Sequence, residues 1–162
     1  MKPNLNRVNP AKRLAYAFIG LLAGDAILFL FFLVNAILVR SALLKAHAGE
    51  PAQIIPQFLQ GFVLYALFSF VGWLLVGFPV SLLFPSRAIT RLSWPLALLV
   101  GAALGPLALL ATFLLLGHGH LSFPASFTGT GPLWAFSILV STSSFLIYGA
   151  LLRKDVGRQA LS

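Results

Sequence analysis

Residues 92–152 read LSWPLALLVGAALGPLALLATFLLLGHGHLSFPASFTGTGPLWAFSILVSTSSFLIYGALL, a stretch without a single Asp, Glu, Lys or Arg. A helix crossing a hydrocarbon core of roughly 30 Å needs about 20 mostly apolar residues. This stretch supplies two such runs, 94–116 and 133–152. Between them, the Gly, Ser, Thr and Pro of 117–132 predict an exposed loop with little regular structure. Toward the N-terminus, a short hinge at 86–93 carries Arg87 and Arg91, and before it lies another apolar run, 58–84, bounded by Pro56 and Pro85. The first run, 14–39, has a periodicity that continues as helix through 41–47 until Gly49 and Pro51 stop it. The expectation is an all-α membrane protein, a single domain over 1–162 built as a bundle of four transmembrane helices.

Composition agrees: 59% of residues are hydrophobic and 9% charged, whereas about a quarter of a soluble domain is charged. Lipid must therefore cover much of the surface. The net charge of +8 does not indicate nucleic-acid binding, because the bases cluster at the ends of the runs, where Lys and Arg orient membrane helices. Lys2, Arg7, Lys12 and Arg13 precede the first run, Arg87 and Arg91 occupy the hinge, and Arg153, Lys154 and Arg158 follow the last; Arg40 and Lys45 alone fall on the other side. Both termini are expected on the cytoplasmic side of a cell membrane, a bacterial inner membrane. Trp94 and Trp134 stand near span ends, where amphipathic rings favour the headgroup boundary. The first run is too long for a secretory h-region of about 7 to 15 residues, so it reads as a retained span although Ala46-His47-Ala48 imitates a cleavage site.

Asp25 is the one acid inside a span, near the middle of the first. Its cost at a helix centre, about 2.5 to 3.5 kcal/mol, is outweighed by the Leu, Ile, Val and Phe around it, each returning roughly 0.3 to 0.6 kcal/mol. No Lys or Arg lies within a span to pair with it. Hydroxyls are the available partners: Ser137, Ser141, Ser144 and Tyr148 recur along one face of the fourth span, at the depth expected for Asp25. The alternative reading of this stripe is that each hydroxyl bonds its own helix or cements packing. Intramembrane acids are functional candidates by default, so Asp25 with the stripe forms the candidate polar site.

Small residues mark close helix contacts, because glycine lets backbones approach and gain dispersion where lipid offers no hydrophobic drive. Gly20 and Gly24 form one GxxxG and Gly101 and Gly105 another, while Gly72 gives the second span a small face. Packing within the bundle is the simpler reading, a dimer seam the other. Pro79 and Pro106 are expected to kink their spans. His47, His118 and His120 lie toward the outer side, yet no carboxylate at ligand spacing accompanies them, so no metal site is expected. Nor is a cofactor: no His or Met pair lies at membrane depth to hold haem, and cysteine is absent.

An enzyme is disfavoured, since the chain has no paired carboxylates, no thiol, no intramembrane histidine and no phosphate-cradling glycine loop. The sparse polar inventory fits a non-catalytic accessory, assembly or immunity-type partner, bound to another membrane protein or to copies of itself in the lipid bilayer. The alternative is a small proton-coupled transporter or flippase component using Asp25 in an oligomer. A lone acid in the first of four spans resembles small multidrug transporters in residue type and span count; that family's aromatic surroundings have no positional match here, and this chain is longer.

Overall fold

The computed structural model describes residues 8–46, 54–116 and 127–159, which are helical except at short junctions. Helix α1 spans Pro10–Ala46, α2 Ile54–Gly72, α3 Phe78–Leu83, α4 Ser86–Arg91, α5 Trp94–Leu116 and α6 Phe127–Gln159, with a π-helical turn, Trp73–Gly77, joining α2 to α3. Among the described residues, four stretches are long and apolar enough to cross a bilayer: Pro10–Ala42, Ile55–Leu83, Trp94–Leu116 and Gly131–Arg158. The protein is therefore a bundle of four candidate membrane-spanning helices, as the apolar runs predict.

Local chemistry sets the boundaries. Asn9 begins α1 by accepting the Ala11 N–H on its Oδ1 at 2.9 Å, and Pro10 follows where its missing donor costs nothing. In the second span, the Pro79 ring would crowd the carbonyl four residues back and leave it without a donor. The widened turn before it absorbs both defects: the Phe78 N–H reaches back five residues to the Trp73 carbonyl, and the helix resumes with Pro79 in its first turn. Pro79 thus produces a π turn.

The hinge at 86–93 holds a short helix, 86–91 forming α4 after the extended Pro85. Two expectations at the connections need correction. Of the loop expected at 117–132, the part from Phe127 onward is helical; 117–126 lie outside the described residues. A proline near a helix start removes only one backbone bond, so Pro132 and its neighbouring glycines do not stop the helix. At its other end α6 continues past Leu152 to Gln159, because Arg153, Lys154 and Asp155 are acceptable helix formers outside lipid.

Helix α6 packs along α1 and α5, and α2 also packs against α1 and α5, which leaves α2 diagonally opposite α6. At the end where α1 begins and α6 finishes, the core is Val8, Ala17, Ile89, Ala97, Phe145, Tyr148 and Leu152. At the other end, aromatic rings join three helices. Phe32 of α1 lies 5.2 Å from Phe136 of α6 and 6.3 Å from Phe62 of α2, and Tyr65 meets Phe136 edge-on at 5.9 Å. Outward faces carry exposed Leu30, Leu38, Leu67 and Leu99, the composition lipid tails require.

Candidate functional site

The glycines fix how closely the helices approach. A Cβ on Gly20 would stand 2.6 Å from the Ser144 carbonyl oxygen, and one on Gly24 would stand 2.7 Å from that of Val140, so α1 lies backbone to backbone on α6. Gly101 and Gly105 seat α5 on α6 in the same way, with a Cβ at Gly101 coming 2.8 Å from the Thr142 Cα. Gly72 faces Ala108 of α5. All five glycines singled out from the sequence thus serve contacts inside the bundle.

Those contacts draw α1 and α5 onto α6 and leave a gap on the diagonal. Between α2 and α6 lies a partly open cavity of about 110 Å³, walled by Phe68, Trp73 and Val76 on one side and by Ser137, Ser141 and Phe145 on the other. The candidates Ser144 and Tyr148 also line it; Asp25 does not. Asp25 is half-buried on α1, and its hydrogen-bonding side chain is Ser69 of α2. Ser69 itself lines the cavity. The depth expected from the sequence is observed, since Gly24, next to Asp25, abuts Ser144. The two side chains are not hydrogen-bonded to each other, however: Asp25 Oδ1 and Ser144 Oγ are both buried without a hydrogen-bond partner among the described residues.

Thr142 Oγ1 is likewise buried without a partner among the described residues, whereas several other hydroxyls donate to main-chain carbonyls. Ser137 donates to Trp134 at 2.8 Å, Ser81 to Phe78 at 2.7 Å and Thr112 to Ala108 at 2.8 Å, each within its own helix. Ser141 crosses to the Gly101 carbonyl of α5 at 2.6 Å. Tyr148 reaches the Ser81 carbonyl at 3.4 Å, linking α6 to α3. For Ser137, Ser141 and Tyr148 the hydroxyls thus bond main chain, and those of Ser141 and Tyr148 pin helices together, an arrangement worth about 0.6 kcal/mol per interhelical bond in a membrane.

A second polar cluster closes the end of the bundle where α1 begins and α6 finishes. Arg13, buried on α1, donates to the Phe84 carbonyl at the junction before α4. Arg153 of α6 donates to the carbonyls of Thr90 at 3.2 Å and Leu92 at 2.7 Å, with its guanidinium 5.8 Å from the Trp94 ring centre. Lys12 pairs with Asp155 at 3.7 Å. Two bases that the sequence counted only as topology signals therefore cap the carbonyls of the α3–α4–α5 connection.

Sequence reasoning missed Ser69, Ser81 and Trp73 as cavity residues. Helical spacing from Tyr65 through Ser69, Gly72 and Val76 was the available signal. His47, His118 and His120 lie outside the described residues, and no cluster of His, Cys, Asp or Glu that could hold a metal occurs among those described. No family model, curated protein or solved structure matches the chain.

Proposed function

We propose that this chain is a non-catalytic component of a cell membrane, a bacterial inner membrane, working through helix contacts with another membrane protein as an accessory, assembly or immunity-type subunit. The supporting observation is the shallow packing of the second span. Only 11% of its most apolar window is buried within the chain, against 33% for the fourth. One side of α2 is left for a neighbour, as small-residue packing within the bundle already occupies α1, α5 and α6. Both termini face the cytoplasm on this reading, following the bias of nine bases to two.

The test is mass measurement of the particle released gently from native membranes into nanodiscs, repeated with Leu67→Trp on the exposed side of α2 and Leu99→Trp on the exposed side of α5. A second subunit lost with the first variant and kept with the second is expected. A particle containing one chain and lipid alone sinks the proposal.

The buried Asp25 Oδ1, without a hydrogen-bond partner among the described residues, favours a second reading. In it, Asp25 exchanges a proton during transport within a homo-oligomer. Flux driven by a pH gradient in proteoliposomes and abolished by Asp25→Asn would select this reading; flux unchanged by that substitution would remove it.

A further inference from the structure

The cavity between α2 and α6 has a shape and wall chemistry that specify an occupant. Its wall on α6 runs from Ser137 to Tyr148, roughly 16 Å at 1.5 Å rise per residue. The space is therefore long and narrow and follows the bundle axis, the direction of the surrounding lipid tails. Most of its wall is hydrocarbon and aromatic ring, from Leu21, Phe68, Trp73, Val76, Leu104 and Phe145.

The hydroxyls in the wall do not make it a polar site. Ser81, Ser137, Ser141 and Tyr148 direct their donors at main-chain carbonyls, and Ser69 is bonded to Asp25. Ser144 Oγ is sealed from the space against Gly24. Apart from Ser144, whose Oγ has no partner among the described residues whatever fills the space, none of these hydroxyls loses a partner when the space fills with hydrocarbon. A polar solute would surrender its own hydration for hydroxyls already engaged, at a cost of several kcal/mol per unpaired group.

We propose that this cavity holds a single hydrocarbon tail of a membrane lipid, lying along the bundle axis between α2 and α6. Its volume, about 110 Å³, is of the order of an engineered apolar cavity of about 150 Å³ that stays dry and takes up benzene. It therefore admits one chain segment, with the remainder of the lipid outside the bundle. The Trp73–Gly77 turn of the second span, the span with the smallest buried share, forms part of its wall.

The experiment uses the full chain in phospholipid vesicles doped with a phosphatidylcholine carrying a diazirine near the tail end. After illumination, adducts are mapped by peptide mass spectrometry. Adducts on Val76, Leu104 and Phe145 are expected alongside those on outward-facing Leu99 and Leu115. The inner adducts should fall about tenfold in Leu104→Trp and in Val76→Phe, since each fills the space from a different wall, with the outer adducts unchanged. Unlabelled free fatty acid should not displace the inner adducts if the tail belongs to a phospholipid. Displacement by fatty acid overturns the lipid assignment. Adducts confined to outward residues in the unmodified protein overturn the proposal outright, independently of whether either variant folds.

Discussion

Replacing Gly105 by Ala tests the claim that backbone contact between α5 and α6 holds the bundle. The added Cβ would lie 2.6 Å from the Ser137 carbonyl carbon and 2.5 Å from Ser141 Oγ, where ordinary contact begins at 3.4 Å. The Ser137 carbonyl oxygen stands closer still, so relief requires the helices to part by about 1 Å or more, and a gap of that size forfeits about a quarter to a half of each dispersion well along the seam. It also stretches the 2.6 Å bond from Ser141 to the Gly101 carbonyl. Overpacking costs about 1–3 kcal/mol, and a lost interhelical bond adds about 0.6, so the expected destabilisation is about 2–4 kcal/mol. Gly157→Ala serves as the control: nothing lies within 4 Å of its Cβ position, and exchanging glycine for alanine in a helix gains up to about 1 kcal/mol. Reversible unfolding in mixed detergent micelles, followed by tryptophan fluorescence, measures both. Equal stability of Gly105→Ala and the unmodified protein would refute the close-contact reasoning.

The other predictions concern the two ends of the bundle and its polar pins. Arg153→Leu removes two donors to main-chain carbonyls and a ring contact, and should cost about 1–3 kcal/mol in the same assay; a neutral result would mean that water replaces the guanidinium. Lys12→Ala breaks an ion pair whose lysine is 56% exposed, so its effect should stay below about 1 kcal/mol and shrink further in salt. Ser141→Ala should lose about 0.6 to 1.7 kcal/mol, whereas Ser137→Ala, whose bond lies within α6, should lose less; the reverse order would contradict the assignment of Ser141 as the interhelical pin. Because the chain has no cysteine, single cysteines at Asn9, Arg91 and Gly157 can be labelled with an impermeant maleimide. All three should react from one face and Gln57→Cys from the other; a split among the first three would disprove the four-span topology.

The spans were legible because lipid imposes one dominant constraint, enough apolar length, and Trp94–Leu116 was read to the residue. The ends of α6 were less legible. Helix persists there through Pro132 and past Arg153, since breakers near a terminus cost little and the polar tail adds helical turns outside the apolar run. The contacts of Gly20, Gly24, Gly101 and Gly105 followed from their spacing, but which helix each would meet depended on the three-dimensional arrangement. So did the partner of Asp25. The stripe on α6 offered four hydroxyls at the right depth, and the bonding side chain is instead Ser69 on α2, whose orientation no periodicity within α1 or α6 encodes.

The cluster of arginines at the terminal end bears on how the protein is made. Arg13 is synthesised first and its acceptor, the Phe84 carbonyl, emerges only when half the chain has been translated. The acceptors of Arg153 at Thr90 and Leu92 wait in turn for the final helix. The connector between the second and third spans is thus gripped from both directions, once by a helix made before it and once by a helix made after it. Assembly of this bundle should accordingly include a locking step that waits for α6, which acts as the bolt.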